Sequence, residues 1–415
     1  MCTNYNRQCA LFVVINEGIP EARVRVRRTA VITYFGRSGS YLLSNLLDGH
    51  PQVLSLPPHS FSGFFKETDR FLSRWTGGGP DVVTRFVLET FPYLSRDANH
   101  NRKLRLPDGV RLDYGVPTEA FADLLMAIIL KTMADKAVSP SEFMGVLFIA
   151  VHVAYAACRG RPIPEDPVIA FQLHAPEFRP LRSLIRAALG NVVFIKCVRQ
   201  PEKTIDSYIA HYMDEIDQPP CSDLFVPSKM ILETLATDHI DPDESKDSIA
   251  VRFEDMHRRT EALTRAVARE LGIDWHPIVL ETTLDGQPFY FSSRGTLITG
   301  TRPELADGST LKYLDQADAM KILIAMRANC EAWGYEAILP GRDMPVLFQR
   351  PLQAHWVALR RTVDCLLRRD PSRDAAQLRS EQHEIMLREA ARVNAALLER
   401  ATGEKVTLPR LLSIS

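Results

Sequence analysis

With 415 residues, 46% of them apolar, and a formal net charge of -1, the chain can build a large folded core and has neither the charge of a polybasic nucleic-acid binder nor the composition of a disordered segment. Its seven cysteines (Cys2, Cys9, Cys158, Cys197, Cys221, Cys330, Cys365) are odd in number and scattered, without the close pairs of zinc or redox motifs, so thiols in a reducing compartment are expected. The apolar run Ala10 to Ile15 is short for a secretory core, and Met144 to Cys158 is broken by Gly145 and His152 short of spanning length; a soluble, cytoplasmic chain is the expectation.

Residues 1–28 read as an N-terminal extension. From Thr29 to Phe35 the sequence is apolar and partly β-branched, breaks at Gly36, and resumes with Leu42, Leu43, Leu46 and Leu47 at helical spacing, which predicts strand, tight loop and helix. A short strand, Val53 to Leu56, ends in Pro57 and Pro58. Residues 57–167 then show mostly helical periodicity, around 118–135 and 141–158, and read as a helical, substrate-side insert. Strand and helix alternate again from there: strand Val168 to Leu173, helix Glu177 to Leu189, strand Val192 to Val198, helix Pro201 to Met213, strand Ser248 to Phe253, helix Arg259 to Leu271. Phe289 to Thr301 reads as a loop. This βα order predicts an α/β fold, a P-loop-like open parallel sheet flanked by helices, over residues 29–340. In the C-terminal extension, 341–415, the spacing of Leu352, Trp356, Leu359, Val363 and Leu366, and of Met386, Ala390, Val393 and Leu397, predicts two amphipathic helices. Their apolar stripes need cover, either from the domain or from a second copy in a homo-oligomer. Arg350, Arg360, Arg361, Arg368 and Arg369 either meet an anionic surface or form a solvated basic face.

Gly36-Arg37-Ser38-Gly39-Ser40 lies between strand and helix, where backbone N–H groups and the helix dipole converge on an anion. The glycines allow close approach, Arg37 offers a fork of donors, and Ser38 and Ser40 add hydroxyls. The loop lacks the Gly-x-x-x-x-Gly-Lys-Ser/Thr of a Walker A motif. Taken alone, such a loop reads better as an ordinary strand-to-helix turn with a solvated arginine. A second element, Val193 to Pro201 followed by Ile205-Asp206-Ser207-Tyr208, puts Arg199 at the carboxyl end of a strand and Ser207 two turns into the next helix, within reach of one phosphate.

Together these elements resemble the sulfotransferases that use 3′-phosphoadenosine 5′-phosphosulfate (PAPS). Thr33-Tyr34-Phe35-Gly36-Arg37-Ser38-Gly39-Ser40 matches the 5′-phosphosulfate loop, and Arg199 with Ser207 matches the 3′-phosphate element. Val251-Arg252-Phe253-Glu254-Asp255-Met256 and the late Phe291-Ser292-Ser293-Arg294-Gly295 also match, in the family's order, so the resemblance spans about residues 29–335. It implies that PAPS is the co-substrate and PAP the product, with no metal required. It also implies that Gly36, Arg37, Ser38, Gly39, Ser40 and Tyr41 surround the 5′-phosphate, with Arg37 also at the bridging oxygen. Arg199, Ser207, Ser293, Arg294 and Gly295 would then surround the 3′-phosphate, and Phe253 would lie against the adenine. Phe171-Gln172-Leu173-His174-Ala175-Pro176 stands where cytosolic members carry Lys-Thr-His-x-Pro, which makes His174 the implied general base. His59, just after the second strand, stands where other branches place that base. Departures are Gln172 and Arg37 for lysines and Leu42 for an adenine-stacking tryptophan, so leaving-group stabilisation leans on Arg37 and backbone donors.

Two other functions fit parts of the pattern: a P-loop-like phosphoryl-transfer enzyme such as a small-molecule kinase, and a non-catalytic nucleotide-binding scaffold. The first would need a Walker lysine and Mg²⁺ ligands that the sequence does not show. A small-molecule hydroxyl acceptor is expected, with no nucleic-acid partner. Phe61, Phe64, Phe65, Phe86, Phe91 and Tyr93 in the insert suit either an aromatic or lipid-like acceptor or the core of a helical cap.

Overall fold

Strand β1 (Arg28–Tyr34) is buried on both faces and alternates between two cores, Val31 entering one and Ala30 and Ile32 the other. The computed structural model describes residues 25–34, 36–57, 60–61, 79–98, 104–105, 116, 118–133, 137–215, 220–238, 246–288, 290–293, 296–307, 310–341, 344–403 and 408–414. Helix α1 (Ser40–Leu47) and strand β2 (Val53–Ser55) follow β1. The insert contributes α2 (Pro80–Ala98), β3 (Leu104–Arg105), α3 (Thr118–Met133) and α4 (Pro140–Cys158). Next come β4 (Val168–His174), α5 (Ala175–Leu189), β5 (Val192–Val198) and α6 (Pro201–Ala210). Helix α6 ends in a π turn, His211–Glu215, where one unbroken helix to Met213 was expected. A 3₁₀ turn (Pro220–Phe225) leads into α7 (Val226–Asp238), then β6 (Ser248–Arg252), α8 (Phe253–Arg258) and α9 (Thr260–Leu271).

All pairs in the six-stranded sheet are parallel, in the order β11-β6-β5-β1-β4-β2, where β11 is the C-terminal strand Arg410–Leu411. The α/β expectation therefore holds. Chain direction reverses beside β1: β1 leads through α1 to β2 on one side, and β5 leads to β6 on the other. The crevice at the carboxyl ends of β1 and β5 is thus the topological switch point, the usual ligand position in open α/β sheets. One face of the sheet packs on α3, α4 and α5 through Phe148, Phe171 and Phe194, and the opposite face packs on α1 and α9 through Leu43, Leu47, Leu263 and Val267.

Helix α4 starts on a full capping box: Ser139 Oγ accepts Glu142 N at 3.2 Å, and Glu142 Oε2 accepts Ser139 N at 2.8 Å. At 19 residues it is long and apolar enough to cross a bilayer, a correction to the spanning length expected of it, and 67% of that window is buried within the chain's own fold. Phe61 and Phe86 are buried in its core, as the cap reading has it; Phe64 and Phe65 lie outside the described residues, as do the side chains of Phe91 and Tyr93.

Residues read as a loop after Phe289 form a hairpin instead. β7 (Thr283–Leu284) pairs with β8 (Gln287–Pro288), and β9 (Tyr290–Ser293) pairs antiparallel with β10 (Thr296–Ile298) and with β3 of the insert. The aromatic and β-branched residues Tyr290, Phe291, Thr296 and Ile298 favour strand, and the interposed glycine had drawn the reading toward a turn.

The chain continues through α10 (Pro303–Asp307), α11 (Gln316–Ala325), α12 (Arg327–Trp333) and α13 (Met344–Leu347) to α14 (Gln353–Arg369) and α15 (Ala375–Thr402), closing with β11 (Arg410–Leu411). The last two helices bury Ala354, Ala358, Val393 and Leu397 against Ile205, Tyr208, Met230 and Ile322, so α6, α7 and α11 cover the apolar stripes within one chain. Asp318 is fully buried; its carboxylate accepts Gln353 N at 2.7 Å and pairs with Arg350, while buried Lys321 Nζ donates to the Arg350 carbonyl. Arg361 pairs with Asp223 at 2.8 Å and with Asp214. Two of the arginines counted toward a basic face are thus committed internally. Cys365 is disulfide-bonded, which corrects the all-thiol expectation, whereas Cys158 and Cys197 are free thiols.

Buried histidines give the fold an acid dependence. His355 Nε2 lies 3.2 Å from Ser228 Oγ, and burial pushes its pKa down to about 4. Unfolding returns it to about 6.5, so the unfolded chain binds the extra proton between pH 6.5 and 4, and stability falls as pH drops through that window. Glu202, Asp285 and Asp318, raised by burial, pull the other way. The histidine is therefore read as a difference: His355→Asn should flatten the pH dependence of urea unfolding by about 1.4 kcal/mol per pH unit. Parallel profiles for the two proteins would refute this.

Candidate active site

The loop after β1 takes three left-handed positions, Gly36 (φ 27°), Arg37 (φ 54°) and Gly39 (φ 92°). Arg37 is one of two non-glycine residues with positive φ among the described residues, a strain of about 1–3 kcal/mol that marks functional loops. A Cβ on Gly36 would sit 2.6 Å from the Tyr208 ring of α6. One on Gly39 would sit 2.6 Å from Met256 Cε and 2.7 Å from the Phe253 ring of α8. The loop is therefore wedged between the two other motif elements, and only glycine fits at those contacts. Gly39 caps α1 without a side-chain hydrogen bond, so N–H groups of the first turn remain for an anion.

Arg37 and Ser207 meet directly, Nε donating to Oγ at 3.4 Å although 170 residues separate them in sequence. Arg199 leaves the end of β5, one strand from β1, and its guanidinium lies 4.6 Å above the Phe253 ring. Burial lowers the Arg199 pKa; Glu254 opposes that shift and the positive charge of Arg37 adds to it. Two guanidinium groups that repel one another thus lie at the switch point, the concentration of positive charge that an anion would relieve. Arg37, Ser38, Ser40, Tyr41, Arg199, Ser207 and Phe253 are therefore brought to one crevice with Gly36 and Gly39. Ser38 and Ser40 are buried there, and Tyr41 is half-buried.

His174 ends β4 in register with Tyr34, at the same end of the sheet as the loop. Its side chain lies outside the described residues, as do His59, Arg294 and Gly295; Ser293 closes β9, and its side chain is likewise not described. Gln172, two residues earlier on β4, is buried and donates through Nε2 to the Ser40 carbonyl at 3.1 Å. The glutamine thus fixes the start of α1. His152 is a core histidine, with Nδ1 2.6 Å from the Phe148 carbonyl.

Three positions here had no local signal in the sequence. Asp206, beside Ser207, accepts from Lys312, Tyr313 and Leu314 N at 2.7–3.0 Å and pins that segment to α6. Glu254 accepts from Tyr335 OH at 2.7 Å and from Gln200 N at 3.4 Å, holding the junction that carries Arg199. His257 packs edge-on to Phe253 and accepts from Arg302 N at 2.9 Å; burial, aided by Arg199, pushes its pKa down to about 4. Apart from the Phe253–His257 pair, one helical turn apart, each contact joins residues distant in sequence, so spacing could not reveal it.

No protein-family model matches the chain, and no curated protein does. Among solved structures it is similar to the sulfotransferase domain of the olefin synthase of Synechococcus PCC 7002, at 17% identity, with 76% of this chain and 98% of that one covered and a TM-score of 0.38. It is also similar to the sulfotransferase domain from the curacin biosynthetic pathway, at 16% identity over 76% of this chain and 100% of that one, again at a TM-score of 0.38.

Proposed function

We propose that the chain is a sulfotransferase that moves a sulfuryl group from PAPS to the hydroxyl of a small acceptor. The observation that carries the proposal is the meeting of Arg37 and Arg199 at the switch point, with Ser207 bonded to Arg37 and a glycine-shaped loop beneath. The residues fit a nucleotide bearing two separate phosphate groups: a loop with helix N–H donors for one, and a strand-end arginine with a helix hydroxyl for the other. In the transfer, an oxygen–sulfur bond forms to the acceptor as the bond from sulfur to the 5′-phosphate oxygen breaks. The acceptor proton passes to His174, and the leaving electron pair stays on PAP. Charge that builds on the leaving phosphate is offset by Arg37 and backbone N–H groups. A kinase would hold its triphosphate through a Walker lysine, and this loop carries Arg37 and no lysine.

PAP should raise the melting temperature by several degrees, since ligand at a hundredfold excess over Kd adds about 2.7 kcal/mol, and ATP should raise it much less. Arg199→Ala should weaken PAP binding by about 10- to 100-fold without unfolding the chain. Equal shifts from ATP and PAP, or none from either, would refute the assignment. Labelled sulfate appearing on an acceptor hydroxyl, rather than phosphate from ATP, separates the transferase from both a kinase and a scaffold.

A further inference from the structure

Val198 pairs with Arg252 across β5 and β6, so the residues that leave the two strands, Arg199 and Phe253, start side by side. The arginines at these strand ends are held in different ways. Arg252 is locked by a carboxylate, Nε and Nη2 donating to Asp255 at 2.6 and 3.0 Å. Arg199 makes no hydrogen bond or ion pair with a described residue, and what its guanidinium meets is the Phe253 ring, 4.6 Å from the centroid. The charge of Glu254 acts on Arg199, but its oxygens accept from Gln200 N and Tyr335 OH. A carboxylate partner would consume N–H donors, whereas an aromatic face meets the cation and leaves the in-plane fork open. The ring is itself fixed from two sides. Its Cδ2 would lie 2.7 Å from a Cβ on Gly39, so the loop after β1 closes against one edge. Buried His257 packs across it at 71°, with 4.5 Å between ring centroids, and is held by the Arg302 N–H at 2.9 Å.

We propose that Phe253 is a positioning residue whose ring seats the Arg199 guanidinium beside the loop after β1, so that it serves the 3′-phosphate of PAPS through Arg199 and not by stacking on the adenine. The proposal rests on the PAPS reading above. A seated guanidinium has already given up most of the rotamer freedom that a long flexible side chain loses when it grips an anion, and that loss is subtracted from affinity. The contact lies within the range of a cation–π pair, so a base that stacked on the same face would have to evict the cation that holds its own phosphate. The role asks for an aromatic face at Phe253 and not only for apolar bulk. Tyrosine keeps that face and leucine removes it.

PAP and AMP, which differ by the 3′-phosphate alone, separate the two roles by titration calorimetry on the full chain. Phe253→Leu should weaken PAP about 5- to 30-fold and leave AMP within about twofold of the parent, and Phe253→Tyr should restore PAP affinity. Unchanged AMP binding also shows that the leucine variant is folded. Equal losses for PAP and AMP would put the ring on the adenine and overturn the proposal. In an Arg199→Ala background, Phe253→Leu should cost no further PAP affinity; losses that add overturn it. Crystal structures of the unliganded parent and Phe253→Leu chains test the seat with no ligand present. Expected is a guanidinium within about 6 Å of the ring centroid in the parent and a displaced one in the variant. An Arg199 that keeps its position without the ring overturns the proposal. If the parent does not bind PAP, the PAPS reading falls, and the unliganded structures still decide the Arg199 seat.

Discussion

Replacing His174 with alanine should lower turnover with a competent acceptor by about 10²- to 10⁴-fold and leave PAP affinity nearly unchanged, because it removes general-base assistance and no phosphate contact. The register favours this: His174 pairs with Tyr34 at the strand end that leads into the loop, so the proposed base lies beside the strand that leads into the proposed donor loop. In-line attack requires the acceptor oxygen on the far side of sulfur from the bridging oxygen. His59→Ala should cost far less. Steady-state kinetics on the two variants decides the assignment: rates that survive His174→Ala and collapse on His59→Ala would move the base to His59. Arg37 and Arg199 would keep their phosphate roles in either case.

Removal of residues after Pro340 should abolish cooperative folding rather than change the mass of a soluble particle. The deleted segment supplies Phe348, Leu352, Ala354, Ala358, Val393 and Leu397 to the core that buries Ile205, Tyr208 and Ile209 of α6. A fully buried large apolar side chain contributes about 1.5–3 kcal/mol, and net stability is about 5–15 kcal/mol, so losing four of them, Phe348, Leu352, Val393 and Leu397, while uncovering Ile205, Tyr208 and Ile209, consumes the margin. The deletion also strips Arg361 from Asp214 and Asp223, and Arg350 and Gln353 from Asp318. Circular dichroism and urea titration check the outcome. A truncated chain that melts cooperatively near the parent temperature would show that α14 and α15 are dispensable to the fold and would return them to a role in assembly.

The sheet and the loop were legible because both are written locally: β-branched runs bounded by glycine or proline, and a Gly/Ser loop between strand and helix. The order of motifs gave Arg199, Ser207 and Phe253 their neighbours. What stayed hidden depends on contacts across the chain. The hairpin after Phe289 pairs with β3 of the insert, and nothing near either segment announces the other. Gln172 looked like the loss of a cation; its hydrogen bond to the Ser40 carbonyl shows the position bracing α1 instead. The two C-terminal helices were readable from their stripes, but a stripe does not say which surface covers it. The answer came from α6, whose apolar residues alternate with the polar ones that face the site.

The outermost pairing of the main sheet, Arg410 with Ile249 and Leu411 with Ala250, also bears on how the chain reaches its fold. It closes a loop of about 160 residues, as long as the one closed by the central pairing of β1 with β5, and it gains only two paired residues for that cost, so it belongs late in the order of assembly. Until it forms, β6 is an edge strand next to the strand that carries Arg199, open to pairing with any extended segment nearby. Refolding yield should then be limited by the concentration of chains waiting with that edge uncovered, and dilution should recover it where added PAP, whose proposed site is at the carboxyl ends of β1 and β5, cannot.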